Sequence, residues 1–290
     1  MFSINLINMK KILITGSTGF LGGYLCKKLS RNNKIYKLGH SKKSQYNFDL
    51  TKKKLLESVL SKIRPNIVIN LVANTDVDNC ERYKNKCFKT NVQTVKNLAY
   101  YSKKLDFRII HISTDQLYDA NKYNKEHEVK IKNYYAKTKY IADKIVNTSN
   151  GCVLRTNFFG YNHSNNKGIV NWILSTNDKI YLYKNMYFSP LYVKTLVKYI
   201  EIVTRNFNSG IYNLGSKNKI SKSNFIKKII KKFKLNLNYD EIMYNSRMIK
   251  TKAKRPLNMQ MNVIKFERKF NIKLPSINKE ISKVKINEKF

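Results

Sequence analysis

Three glycines spaced three residues apart, in Ile14-Thr15-Gly16-Ser17-Thr18-Gly19-Phe20-Leu21-Gly22, could hold the pyrophosphate of a dinucleotide. Gly16 suits a tight turn, Gly19 lets the backbone approach an anion, and Gly22 lets a helix pack closely on the preceding strand. The N–H groups at the helix start would then face the phosphates. With 10 glycines in 290 residues, chance rarely produces such a triplet. A second spacing, Tyr-x-x-x-Lys, could move protons. Residues i and i+4 share a helix face, so an ammonium beside a phenol favours phenolate and lowers the tyrosine from its usual ~10. Such a tyrosine acts as acid or base near neutrality. Spacing alone does not choose one here, because the chain has 20 tyrosines and the pattern starts at Tyr24, Tyr100, Tyr118, Tyr135 and Tyr140.

These groups need a scaffold. Apolar, β-branched runs at Lys11 to Gly16 and Ile35 to Gly39 flank a helical pattern from Phe20 to Arg31, which predicts a βαβ unit. The alternation continues with a helix from Lys52 to Ile63, a strand from Asn66 to Ala73, a helix from Glu81 to Lys104, and a strand from Arg108 to Thr114. A helix from Tyr135 to Thr148 and strands at Cys152 to Thr156 and Ile211 to Leu214 complete it. Strands apolar on both faces, alternating with helices, specify an α/β fold with a parallel sheet covered on both sides. The pattern lapses from Asn157 to Phe188 and again after Ser216, predicting a smaller lobe over the C-terminal edge of the sheet. Ser189-Pro190 reads as the start of a helix, with Ser as N-cap and Pro at the first position. Of the five tyrosines, only Tyr135 and Tyr140 fall on the helix that follows the fourth strand.

Composition excludes several classes. At 42% hydrophobic residues the chain is rich enough in apolar side chains to fold, and its apolar runs fall far short of the ~20 residues of a membrane span. No basic and apolar leader precedes residue 30, so export is not expected. The net charge of +39 invites a nucleic-acid reading. Lysine and arginine are spread evenly over both halves, however, which describes a generally basic, solvated surface and makes a nucleic-acid partner an unfavoured one. Cys26, Cys80, Cys87 and Cys152 lack zinc-site spacing, so no metal is expected and reduced thiols in the cytoplasm are the default.

The GxxGxxG turn resembles that of the extended short-chain dehydrogenase/reductase family. Further along, Asn74-Thr75-Asp76-Val77-Asp78-Asn79-Cys80-Glu81, Ser113-Thr114-Asp115-Gln116-Leu117-Tyr118-Asp119 and Arg255-Pro256-Leu257-Asn258 resemble segments of the dTDP-4-dehydrorhamnose reductases. The resemblance runs from Met9 to about Pro275. It implies a Rossmann-type doubly wound sheet, residues 1–160 with 189–216, that binds NAD(P). Residues 161–188 with 217–290 would form the substrate-binding lobe.

It also implies a chemistry: reduction of the 4-keto group of a nucleotide-linked deoxysugar. Tyr135 with Lys139 matches the family better than Tyr140 with Lys144, because Asp143 follows Lys139 by four residues. Thr114, with Ser113 as second choice, would supply the hydroxyl partner, and Asn91 the helical Asn of the catalytic tetrad. Asp49 and Leu50 fit the adenine contact, Leu71, Val72 and Ala73 the strand end beneath the cofactor, and Asn157 the flank of the nicotinamide, whose ribose Lys139 would also hold. Thr75, Gln116 and Arg255 are implied on the side of a nucleotide-diphosphate sugar, and a homodimer fits the resemblance. Leu38-Gly39-His40-Ser41-Lys42-Lys43 has two cations and no acid where an NAD site places a carboxylate, so NADP(H) is favoured over NAD(H). A nucleotide-sugar epimerase, or a non-catalytic NADP-binding subunit like that of methionine adenosyltransferase, would share much of this pattern. In sugar dehydratases a Glu stands where this chain has Gln116, and an amide cannot exchange a proton as a carboxylate does.

Overall fold

Ile12, Leu13 and Ile14 are all fully buried, as a parallel strand covered on both faces requires. In the computed structural model, which describes residues 9–40, 44–162, 168–245 and 253–286, they form β1 (Lys11–Thr15), followed by α1 (Phe20–Leu29), β2 (Lys34–Gly39), β3 (Tyr46–Asn47), α2 (Lys53–Ile63) and β4 (Ile67–Asn70). Next come α3 (Val77–Arg82), α4 (Lys84–Phe88), a π-helical turn (Lys89–Gln93), α5 (Thr94–Leu105), β5 (Arg108–Thr114), α6 (Tyr134–Thr148), β6 (Cys152–Thr156), β7 (Phe158–Phe159) and α7 (Ile169–Ser175). The last third holds β8 (Ile180–Tyr183), β9 (Tyr187–Phe188), β10 (Leu191–Tyr192), α8 (Val193–Arg205), β11 (Gly210–Leu214), β12 (Ile220–Ser221), α9 (Lys222–Phe233), β13 (Tyr239–Ile242), α10 (Ile264–Phe270) and α11 (Ile277–Ser282).

Seven strands form one parallel sheet in the order β11-β6-β5-β4-β1-β2-β3. This is the parallel α/β sheet expected from the alternation, and of the Rossmann type that the resemblance implies. The order reverses between β1 and β4, and ligands bind outside the strand ends at such a point. Alternate residues of β1 serve opposite faces: Ile12 and Ile14 share a core with Leu21 and Leu25 of α1 and Leu196 and Ile200 of α8. Leu13 belongs to the other core, with Leu56 of α2, Leu98 of α5 and Val146 of α6. The two stretches where alternation lapses are joined by short strand pairs, β12 with β9 and β13 with β8, and β7 of the first pairs with β10 just beyond it.

Two expected helices differ. The span from Glu81 to Lys104 is interrupted at Tyr83, whose φ of −119° and ψ of 62° leave the helical region, and again by the π-helical turn. The turn widens the helix at Asn91, whose buried amide accepts a hydrogen bond from Asn74 N–H at 2.7 Å and donates to Asn74 O at 3.2 Å and Thr138 Oγ1 at 3.0 Å. Apolar periodicity carries no mark of that demand. Ser189-Pro190 does not open a helix, because Ser189 is used elsewhere. Its Oγ accepts from Met261 N–H and its carbonyl from Ser216 N–H, while Leu191-Tyr192 pairs with β7. The start of α8 is satisfied instead by Glu280 of α11, which accepts from Tyr192 N–H at 2.8 Å.

Candidate active site

The glycine turn joins β1 to α1 with Gly16 at φ +67°, a conformation that favours glycine. Gly19 N–H donates to Gly16 O at 3.0 Å, and Ser17 ties the turn to β2 by donating its N–H and its hydroxyl to Leu38 O. A Cβ on Gly22 would lie 2.3 Å from Gly16 O, so helix and turn are in close approach. The N-cap, Gly19, offers no side-chain cap, and the first turn of α1 holds no acid to compete with an anion. Above this turn opens a cleft of about 470 Å³. Open helix N–H groups, a left-handed glycine and a glycine with no room for a Cβ together fit a dinucleotide pyrophosphate.

Of the residues expected at the cofactor, Gly16, Gly19, Phe20, Leu21, Gly22, Leu71, Ala73 and Asn157 line this cleft. Ser17, Thr18, Asp49, Leu50 and Val72 lie outside its described lining. Leu50 is buried in the core under α2, and exposed Asp49 accepts from Thr51 N–H at 2.9 Å. Leu50 therefore serves packing, and the adenine contact expected of it does not follow from this placement. Lys42, Lys43 and Ser41, on which the NADP(H) expectation partly rests, lie outside the described residues. The described end of β2 carries Leu38, Gly39 and His40, and a Cβ on Gly39 would touch the hydroxyls of Ser44 and Thr18.

Thr114, Tyr135 and Lys139 meet in the same cleft. Thr114 ends β5, at the C-terminal edge of the sheet. Asn133 caps α6 by accepting from Ala136 N–H at 2.9 Å, while Glu81 accepts from Tyr134 N–H. That capping fixes Tyr135 in the first turn and Lys139 one turn later. Tyr135 and Thr114 both line the cleft, and Thr114 Oγ1 donates to Asp115 Oδ1 at 3.5 Å and accepts from Gln116 N–H at 3.2 Å. Ser113 reaches the cleft too, with its buried hydroxyl unpartnered. The alternative pair, Tyr140 with Lys144, makes a cation–π contact of 4.7 Å outside the cleft lining.

The electrostatics correct one expectation. Burial raises the Tyr135 phenol above its ordinary range instead of an ammonium lowering it. Burial also lowers Lys139 to about 8, against the opposing pull of Asp143 and Cys87. A phenol that stays protonated at neutrality is loaded to give a proton, the requirement for protonating an alkoxide.

On the substrate side, Thr75, Asp115 and Gln116 line the cleft. Asp115 is pushed up to about 7 by burial, with Asn157 Nδ2 donating to its Oδ2 at 2.8 Å and the Lys222 charge opposing the shift. Gln116 Oε1 is buried without a partner. Arg255 departs from expectation: its Nη2 donates to Asp78 Oδ2 at 2.6 Å, its Nη1 is buried and unpartnered, and it lies outside the described lining. The planar fork expected to meet a diphosphate is thus half occupied by Asp78. Asn91 also lies outside the lining; it holds the Asn74 loop and Thr138 and makes no contact with Lys139 among its hydrogen bonds.

Other groups escaped the sequence reading. Cys80 and Cys87 pack in one buried cluster with Tyr135, although nothing in their spacing pairs them; Cys80 Sγ donates to Asn74 O at 3.5 Å, and Cys87 Sγ accepts from Asn91 Nδ2 at 3.3 Å. His111 contacts Lys139, and only its place three residues before Thr114 on an apolar strand could have drawn attention to it. Among the described residues, no His, Cys, Asp or Glu cluster could hold a metal, and no helix is long and apolar enough to cross a membrane.

Comparison with known proteins agrees with this fold. The family profile described as RmlD substrate binding domain matches residues 9–288. The chain is similar to a dTDP-4-dehydrorhamnose reductase of Aggregatibacter actinomycetemcomitans, 31% identical over 165 residues that span 54% of each chain. It is also similar to one from Sinorhizobium fredii, 26% identical over 290 residues covering 92% of this chain and 93% of that one. The crystal structure of dTDP-4-dehydrorhamnose reductase from Bacillus anthracis, in complex with NADP, superposes with a TM-score of 0.85 at 22% identity, covering 94% of this chain and 98% of that one. The chain therefore belongs to the RmlD substrate-binding-domain family within the extended short-chain dehydrogenases/reductases, and its class of activity is NAD(P)-dependent oxidoreduction.

Proposed function

We propose that the protein reduces the 4-keto group of a nucleotide-linked deoxysugar, using NADPH in preference to NADH. The observation that carries this reading is the meeting of Thr114, Tyr135 and Lys139 in the cleft opened by the glycine turn. The cofactor, when bound, supplies the hydride. Gly16 to Gly22 and the start of α1 hold its pyrophosphate, and Leu71 and Ala73 form the floor beside it. Thr114 donates a hydrogen bond to the ketone oxygen and polarises it. Tyr135, protonated at neutrality, gives its proton to the oxygen as alkoxide forms. Lys139 orders the cofactor's ribose and the charge beside Tyr135.

Asn91 acts at one remove, fixing the Asn74 loop and Thr138, the residue before Lys139 on α6. Thr75 and Gln116 orient the sugar, and Asn157 holds Asp115 while flanking the nicotinamide. Arg255 meets the diphosphate only after loosening from Asp78. The preference for NADPH rests on a β2 end with hydroxyls and no carboxylate, the arrangement that tolerates a 2′-phosphate. The relatives' named activity supports the 4-keto sugar as substrate class.

Gln116 separates this reading from a dehydratase. Eliminating water across the sugar ring needs a second exchangeable proton beside Asp115, and an amide does not supply one. The test is product analysis with NADPH against a panel of 4-keto nucleotide sugars. Stoichiometric NADPH consumption with a 4-hydroxy product is expected. A 4-keto-6-deoxy product from dTDP-glucose, with cofactor merely cycling, would overturn the assignment.

A further inference from the structure

A row of polar side chains crosses the sheet beneath the cleft. Thr15 of β1, Asn70 of β4 and His111 of β5 are register partners on adjacent strands, and all three are fully buried. Thr15 Oγ1 lies 2.7 Å from Asn70 Oδ1, Asn70 Nδ2 lies 2.9 Å from His111 Nδ1, and His111 Nε2 lies 3.0 Å from Lys139 Nζ. Lys139 also donates to Ile112 O at 2.8 Å.

Two backbone amides fix the direction of this chain, since an N–H can only donate. Leu71 N–H points at Thr15 Oγ1 and Val72 N–H at Asn70 Oδ1. The Thr15 hydroxyl hydrogen is then left to donate to Asn70 Oδ1. The Asn70 oxygen is therefore an acceptor twice over, and its Nδ2 is the donor to His111 Nδ1. A neutral imidazole whose Nδ1 accepts carries its one proton on Nε2. Burial keeps this ring neutral. The Nε2–H therefore points at Lys139 Nζ, and only an amine with a free lone pair can accept it.

We infer that His111 and Lys139 form one proton switch, in which the tautomer of the buried ring and the charge on the lysine change together. In the first state His111 Nε2–H donates into a neutral Lys139 amine. In the second, Lys139 has gained a proton and donates to Nε2, so the ring proton moves to Nδ1 and the Asn70 amide turns over: Oδ1 accepts from Nδ1–H, Nδ2 donates to Thr15 Oγ1 in place of the hydroxyl bond from Thr15, and the Val72 contact is given up. The ring holds one proton throughout, and the net gain is the single proton on Nζ. His111 is in this sense a positioning residue: it sets the charge beside Tyr135 without touching substrate. The other groups facing Lys139 are Asp143 on its own helix and Cys87 on α4, both of which favour the charged form. A lysine titrating near 8 places the changeover within reach of neutral pH.

This inference rests on the reading of Tyr135 and Lys139 as a proton-handling pair, but its test does not need turnover. Nitrogen-15 NMR of the histidine rings in the cofactor-free protein, titrated from about pH 6 to 10 around the usual range of these groups, reads the tautomer directly. The protein has 4 histidines, so His111 is assignable by its loss in His111→Gln. The expected result is an Nε2-protonated ring at the alkaline end that converts to the Nδ1-protonated form with the same midpoint as the Lys139 ammonium resonance. Asn70→Asp, whose carboxylate accepts from Nδ1–H, should hold the second state and move the lysine midpoint upward by about 1–3 pH units. A ring whose Nε2 stays unprotonated at every pH, or whose tautomer ignores the lysine midpoint, overturns the inference. The wild-type titration decides even if Asn70→Asp fails to fold. Absence of NADPH oxidation with an intact coupled titration would instead count against the proposed function alone.

Discussion

Replacing Asp143 with Asn is expected to destabilise the fold by about 3–5 kcal/mol, the usual cost of removing one partner from a buried ion pair. The Asp143 and Arg155 side chains are 0% and 1% exposed, with Nε and Oδ2 2.8 Å apart. Arg155 Nη1 also donates to Tyr118 Oη at 2.8 Å and Glu126 O at 2.6 Å, and Tyr118 Oη donates to Asn213 Oδ1 at 2.6 Å. One guanidinium thus ties α6, the loop after β5 and, through Tyr118, β11 to its own strand, β6. An Asn at 143 could still accept from Nε, but the arginine charge would remain buried with no counter-charge. At about 2 °C of melting temperature per kcal/mol for a chain of this size, the loss corresponds to ~6–10 °C. Urea and thermal unfolding of Asp143→Asn, Asp143→Leu, Arg155→Met and the double variant Asp143→Leu/Arg155→Met would measure it, the last three forming a cycle. The double variant should recover much of the loss, because apolar replacement of both partners is often near neutral. A single-variant loss below about 1 kcal/mol, or a double variant that simply adds the two losses, would refute the argument that an uncompensated charge sets the cost.

Other outcomes are equally specific. Tyr135→Phe should lower reduction by about 10²–10⁴-fold while NADPH binding, read by fluorescence titration, stays within a few fold; near-normal turnover would remove Tyr135 from the proton path. Gly22→Ala forces a Cβ to within 2.3 Å of Gly16 O, and the resulting shift of about 1–3 kcal/mol should weaken NADPH binding by about 5- to 150-fold in calorimetry. The raised Asp115 means that the folded state binds its proton more tightly than the unfolded one. Its contribution is fully present below the unfolded value of 3.8 and is lost as pH rises through about 7. Asp115→Asn should therefore flatten the fall in stability between those limits relative to wild type, and an unchanged difference in urea midpoints across that window would contradict it. NADPH should bind with a lower Kd than NADH, and the reverse order would disprove the preference.

Much of the scaffold was legible because its signals are local. Fully apolar strands, the glycine turn and the Tyr135 to Lys139 spacing each depend on residues adjacent in sequence. Features set by distant partners were not legible. Ser189-Pro190 carries a sound helix-start signature, but Met261 and Ser216 claim Ser189, and Glu280 takes over the capping. The π-helical turn answers to Asn74 and Thr138, which no periodicity reveals. Arg255 looked free until the fold brought Asp78 to it. Tyr135 departed from expectation because the spacing shows a neighbouring lysine but not the burial that outweighs it. The Thr15, Asn70 and His111 row depends on strand register, which emerges only when three strands lie side by side.

The central claim is that Thr114, Tyr135 and Lys139 carry hydride-dependent reduction of a 4-keto nucleotide sugar in the cleft above Gly16 to Gly22. The most direct measurement follows the absorbance of reduced nicotinamide while wild type and Tyr135→Phe act on dTDP-4-dehydrorhamnose, with the sugar product identified by NMR. One NADPH consumed per 4-hydroxy sugar formed by wild type, and almost none by Tyr135→Phe, is the predicted result. Tight NADPH binding with no consumption by wild type across the 4-keto sugar panel would contradict the claim and leave a cofactor-binding protein without this reaction.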